Sequence, residues 1–181
     1  MRLENIASDE NSLTEKTITR ENKCFYTQKK EAMQISKEPI KEAVRTALID
    51  YCYDIVGCMH STYKELSPGL PESIYQEALL IALKDAGYVD AVREYHHFPE
   101  FRGRQLTSHI QLDIMVPKDG RKIAIECKSI YRLGEKERLQ LFGYLRGTGF
   151  PVGILVNFGS YPKAEIERYY YDCCSNIIKA F

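Results

Sequence analysis

No apolar run in the 181-residue chain approaches the roughly 18 residues of a membrane span, and the opening MRLENIASDEN lacks the apolar stretch of a secretion signal. Those two absences predict a soluble, cytoplasmic protein with no membrane partner. A surplus of either charge is lacking too. With 25 Lys and Arg against 25 Asp and Glu, the chain does not hold nucleic acid by bulk positive charge. Ordered cysteine spacing is the third absence: Cys24, Cys52, Cys58, Cys127, Cys173 and Cys174 form no C-x-x-C pattern. Neither a disulfide framework nor a zinc or iron–sulfur site is therefore expected, and the thiols are read as reduced. Internal repeats are missing as well.

What is present suffices for one core, since 44% of the residues are hydrophobic. Residues 1–37 are polar and charged, which predicts a flexible or partner-binding arm ahead of a single domain over 38–181. Residues 93–146 hold 11 Lys and Arg against 7 Asp and Glu, a mild asymmetry that suits a side facing a polyanion.

From Pro39 the apolar residues Ile40, Val44, Leu48, Tyr51, Ile55 and Met59 recur every three or four positions, the period of an amphipathic helix of about two dozen residues. Ser67-Pro68-Gly69 breaks it. A second helix is expected from about Pro71 to Ala86, burying Ile74, Ala78 and Ile81 with Tyr75, Leu79 and Ala82, and stopping at Gly87. Strand-like runs follow over 89–101, 106–117 and 121–130, then a third helix from about Gly134 to Arg146. The run PVGILVNF, residues 151–158, reads as a central strand covered on both faces. The tyrosine-rich stretch from Ala164 to Phe181 is either helical or an edge strand. Together these elements predict a mixed α/β sandwich.

The chemistry concentrates in IAIECKSIYRL, residues 123–133. An apolar strand start runs into Glu126, Cys127 and Lys128, so the two charges share one face and Cys127 takes the other. Upstream, Asp119-Gly120 between two apolar runs is a type I′ hairpin signal, because both central residues must adopt positive φ. A two-residue loop there pairs Lys118 with Arg121, sets Asp113 across from Glu126 and Gln111 across from Lys128, and turns Leu112, Ile114, Ile125 and Cys127 to the opposite face. Carboxylates opposed at about 5 Å repel unless something positive sits between them. Lys128 supplies part of that charge. A hard divalent cation can supply the rest, taking carboxylate oxygens and completing its shell with water and substrate phosphate. Two carboxylates, a lysine and an amide thus have the makings of metal-assisted phosphodiester hydrolysis, with the lysine orienting the attacking water or stabilising the transition state. The alternative to a metal site is a solvated face with a weak ion pair.

Asp113 followed by Glu126-Cys127-Lys128 on the adjoining strand resembles the PD-(D/E)XK nuclease superfamily. GLPESIY, residues 69–75, is similar to the signature of the bacterial GxxExxY family within it through Gly69, Glu72 and Tyr75. QLFGY, residues 140–144, is similar to a Q-x-x-x-Y element of nucleases in bacterial recombination complexes, and VGILVNFG, residues 152–159, looks like the family's closing strand. The resemblance covers about residues 40–170. It implies a restriction-endonuclease-like three-layer core and a Mg²⁺ (or Mn²⁺)-dependent nuclease acting on nucleic acid, DNA above all. Carried over, Asp113, Glu126 and Glu72 are metal ligands and Lys128 is the catalytic lysine, with Asp113, Glu126 and Gln140 also counted in the catalytic set. Gln140, Tyr144 and Gln111 are the substrate contacts. For Glu72 the alternative is a helix-dipole charge, for Tyr144 ordinary packing, and for His109 a sheet histidine rather than a proton shuttle. Gln111 stands where the family often has a basic residue, and Tyr63 where it has a histidine phrase. Two other classes stay open: a catalytically idle nucleic-acid-binding or assembly module, and an interaction component forming a homodimer or holding a protein partner through the arm or the tail.

Overall fold

The computed structural model describes residues 40–181 and the backbone of Gln34–Ile35; most of the segment expected to be an arm lies outside the described residues. Its elements are β1 (Gln34–Ile35), α1 (Glu42–Leu66), α2 (Glu72–Asp85), β2 (Val92–His97), β3 (Glu100–Phe101), β4 (Arg104–Gln105), β5 (Ile110–Lys118), β6 (Arg121–Lys128), α3 (Glu135–Thr148), β7 (Val152–Asn157), β8 (Glu165–Asp172) and β9 (Ile177–Ala180). Seven strands form one mixed sheet in the order β1-β9-β8-β7-β6-β5-β2, and β3 with β4 makes a small separate hairpin. Among the described residues no helix is long and apolar enough to cross a membrane.

Two cores flank the sheet. On one face α1 contributes Cys52, Ile55 and Met59 and α2 contributes Tyr75, Leu79 and Leu83, against Ile114, Val116, Ile123, Ile125, Cys127, Ile154 and Val156. On the other face Leu141, Phe142 and Leu145 of α3 cover Leu112, Met115, Ala124, Leu155, Tyr169 and Ile178. The result is the expected α/β restriction-endonuclease-like three-layer core. β7 is buried along its whole length, as a strand covered on both faces must be.

Where the helices differ from expectation, the reason is what they pack against. Ile74 and Ile81 are exposed, and α2 turns Tyr75, Leu79 and Leu83 inward instead. An apolar stripe broader than the available contact leaves its margin in water, and here the i, i+4, i+8 row won. Val44 is exposed for the same reason, at the solvent end of α1. The tail is a β-hairpin rather than a helix: β8 joins the interior of the sheet beside β7, and β9 pairs with it. The strand expected over 89–101 is split into β2 and β3.

The β5–β6 turn forms as its residues dictate, with Asp119 at φ +50 and Gly120 at +73. Pairing runs from Lys118 with Arg121 through Ile114 with Ile125, the register expected from a two-residue loop. Beyond that point the expected pairing stops. Leu112 joins the α3-side core while Ile114 and Val116 join the other, so the alternation of faces breaks at Asp113. On the other flank, β2 pairs with β5 on either side of Asp113, and Glu94, the residue facing it, has φ +53. A non-glycine residue in that region costs on the order of 1 kcal/mol, and the distortion frees Asp113 from both neighbours.

Candidate functional site

The site lies where β5 and β6 part. β6 stays anchored by parallel pairing to β7, down to Lys128 with Asn157. Its other edge is released, and the Cys127 N–H donates to Asp113 Oδ2 at 2.8 Å instead of to the β5 backbone. That bond fixes the Asp113 carboxylate at the mouth of the gap. Glu126 is 1% exposed, and Lys128 Nζ donates to its Oε1 at 2.6 Å. Its second oxygen, Oε2, is buried with no hydrogen-bond partner. An ionised oxygen without a partner in low dielectric is costly, and a cation is what would relieve it.

The loop before α2 brings the next acid. Gly69 has φ +113, a conformation L side chains seldom adopt, and lets the chain turn between α1 and α2. The Tyr75 hydroxyl donates to the Ser67 carbonyl and accepts from the Leu70 N–H at 3.1 Å, while its ring stacks on Phe158 at 4.8 Å. The Ser129 hydroxyl donates to the Leu70 carbonyl at 2.7 Å, tying this loop to the end of β6. Thus Gly69 and Tyr75 of the glycine motif shape the loop, and Glu72 between them is set 4.0 Å from Lys128 Nζ. One turn further along α2, Gln76 stands close enough to Asp113 to favour its ionised form.

From the opposite face α3 presents Gln140, whose Nε2 donates to the Tyr144 hydroxyl at 2.7 Å. The expected i, i+4 pair is therefore joined to itself, with Tyr144 close enough to feel the charges of Glu126, Asp113 and Lys128. Gln111 is different. It pairs with His96 of β2 on the exposed side, and its expected pairing with Lys128 is not made because the ladder has ended. His109 stacks on His96 at 4.2 Å and meets Phe98 at a tilt, 5.4 Å between ring centroids.

Electrostatics follow from burial. Desolvation pushes Glu126 up to about 7, the neighbouring Asp113 charge adds to it, and Lys128 pulls back. Burial also raises Asp113, against the Cys127 N–H and Lys128, and raises Glu72, against Lys128. Burial alone would lower Lys128, yet the hydrogen bond and charge of Glu126, with Glu72 and Asp113 beyond, hold it above its ordinary value. Lys128 is therefore the fixed cation of the group, and Glu126 the member that titrates near neutral pH.

Among the described residues no three His, Cys, Asp or Glu side chains stand ready-made as a metal cage. The donor set still fits a hard divalent cation: all candidates are carboxylate oxygens, and Glu126 Oε2 is left over. Gln76 and Glu94 were not singled out in the sequence. For Gln76 the signal was its i+4 spacing from Glu72; for Glu94 there was none, since a positive φ at glutamate leaves no mark in composition.

Buried Glu126, partly buried Asp113 and Lys128 thus converge at the splayed end of a mixed sheet. Residues 49–169, two thirds of the chain, match the PD-(D/E)XK nuclease superfamily, and the chain belongs to it. A nuclease fold implies a nucleic-acid substrate, and nucleases of this superfamily generally use divalent metals. No curated protein matches the chain. Among solved structures, a chain titled "Crystal structure of SSO0001" is 20% identical, covers 91% of this chain and 82% of its own, and gives a TM-score of 0.40.

Proposed function

We propose that this protein is a Mg²⁺- or Mn²⁺-dependent nuclease of the GxxExxY kind that hydrolyses phosphodiester bonds, those of DNA first. The observation that carries it is the unpartnered buried oxygen of Glu126, beside Asp113 and Lys128 at the parted end of β5 and β6. Asp113 and Glu126 would hold the cation, with Glu72 approaching from the first turn of α2. A cation bound there supplies positive charge to the scissile phosphate and makes a nearby water more acidic. Lys128, positively charged and held by Glu126, orients the nucleophile and offsets charge on the phosphate oxygens. The Cys127 N–H keeps the Asp113 carboxylate aimed. Gln140 and Tyr144 line the α3 side, where the amide and the phenol can meet the sugar-phosphate backbone.

The test is cleavage of labelled single- and double-stranded DNA and RNA with Mg²⁺ or Mn²⁺. Cleavage that disappears in both Asp113→Ala and Lys128→Ala supports the assignment. Folded protein that cleaves none of these substrates contradicts it.

One observation favours a second reading. Lys128 sits on Glu126 at 2.6 Å, so the acid is already partly neutralised without metal. A nucleic-acid-binding or assembly module that has kept the fold and lost turnover would look the same at this contact. It would bind nucleic acid or a partner with no dependence on Asp113.

A further inference from the structure

Strand directions fix what surrounds the site. β6 and β7 run toward it, β5 and β8 run away from it, and β2 runs toward it. The β2–β5 connection (98–109), the β6–α3 loop (129–134) and the β7–β8 loop (158–164) therefore all leave the same end of the sheet as Asp113, Glu126 and Lys128. Each carries an exposed aromatic ring. Phe101 is 57% exposed, Tyr131 95% and Tyr161 85%. Two of the three have an arginine next in sequence, Arg102 after Phe101 and Arg132 after Tyr131, and Arg104 is exposed two residues beyond Arg102. Arg102 lies over the Phe101 ring, 5.1 Å from its centroid. The β6–α3 and β7–β8 loops are also bound to one another, since Asn157 Oδ1 accepts the Ile130 and Gly159 N–H groups, each at 3.0 Å.

At the far end of the same sheet lysines lie over the rings instead. There Lys118 covers Tyr51 and Tyr88, and Lys122 covers Tyr95 and Phe150, each ammonium 5.0–5.7 Å from a ring centroid. Two rings left almost wholly in water at the site end, Tyr131 and Tyr161, and the half-exposed Phe101 beneath Arg102 have, with the guanidinium groups among them, the composition of a platform for unpaired bases. Every base offers a π-face, while in a duplex those faces are buried in the stack. Guanidinium groups then track the phosphates without reading sequence.

Resting on the nuclease reading above, we propose that the polynucleotide brought to Asp113, Glu126 and Lys128 is single-stranded, with bases stacked on Tyr131, Tyr161 and Phe101 and phosphates held by Arg102, Arg104 and Arg132.

The test is fluorescence anisotropy of the whole protein with a labelled oligothymidylate and with a blunt duplex of equal length, in EDTA so that no turnover occurs. The single strand should bind at least about tenfold more tightly. Tyr131→Ala with Tyr161→Ala should weaken it by roughly tenfold or more, whereas Tyr53→Ala, removing an exposed ring on the outer side of α1, should leave it unchanged. Arg102→Ala with Arg104→Ala should lower the slope of log affinity against log salt by about 1.4, at about 0.7 for each phosphate no longer neutralised. Duplex bound as tightly as single strand, no binding of either, or full affinity in the tyrosine variant overturns the proposal. Cleavage with Mn²⁺, scored separately, keeps the two readings apart. Protein that cuts only duplex retains the nuclease assignment and loses this one. Protein that binds single strand through these tyrosines without cutting anything does the reverse.

Discussion

At the turn end of the β5–β6 hairpin, Lys118 donates to the Tyr51 carbonyl at 2.6 Å and the Tyr88 hydroxyl at 3.1 Å, and the Tyr51 hydroxyl donates back to the Lys118 carbonyl at 2.7 Å. At the parted end, Lys128 meets carboxylates, Glu126 at 2.6 Å and Glu72 at 4.0 Å, while a buried Glu126 oxygen has no partner. Both lysines belong to one hairpin and both sit near tyrosines. One is satisfied by neutral oxygens and completes a packed corner. The other stands among more negative charge than it can neutralise, in a gap opened by a strained strand. A closed polar network stabilises; one that needs a further cation is a site.

That contrast is open to direct attack. The largest effect should come from Asp113→Ala or Lys128→Ala at the parted end, each lowering turnover on a cleaved substrate by roughly a hundredfold or more with the fold intact by circular dichroism. Equal losses on altering Lys118 would erase the distinction. Next comes pH. The folded-state value of Glu126, about 7, lies above its ordinary 4.5, so the folded protein holds that proton more tightly than the unfolded chain. The stabilisation is complete below about pH 4.5 and lost as pH climbs through about 7, and Asp113 and Glu72 are raised in the same direction. In EDTA the melting temperature should fall by several degrees between about pH 5 and pH 8, and Glu126→Gln should flatten most of that fall. A melting temperature that climbs over this interval would refute the burial argument.

Tyr75→Phe leaves the Leu70 N–H and Ser67 carbonyl without their shared hydroxyl, and should cost about 1–3 kcal/mol in denaturant unfolding. It should also weaken catalysis through the displaced Glu72 loop. At the turn end, Gly120→Ala, imposed on φ +73, should cost about 1 kcal/mol while leaving turnover unchanged. A loss of turnover there would mean that the two ends are not separable.

Much of the site was legible because strand chemistry is local. Asp119-Gly120 specified the register, the register brought Asp113 toward Glu126, and the period of two placed Lys128 on the Glu126 face. The ladder's end at Ile114 and Ile125 was not legible, since it depends on Glu94 taking a positive φ across from Asp113. For that reason Gln111 was expected opposite Lys128 and lies beside His96. Nor could helical periodicity tell which row of α2 meets the sheet, so Ile74 and Ile81 were assigned to a core that took Leu83 instead. The helix-or-strand ambiguity of residues 164–181 was settled by a long-range partner, because the edge of β7 offered pairing to β8. Tertiary demands decided these cases where local pattern was neutral.

The most direct measurement is a calorimetric titration of the metal-free protein with Mn²⁺ near pH 8, beside Asp113→Ala, Glu126→Gln and Gly120→Ala. A binding event is expected that Gly120→Ala retains and both carboxylate variants lose. Mn²⁺ bound equally well without Asp113 and Glu126, or not bound at all by the folded protein, would contradict it.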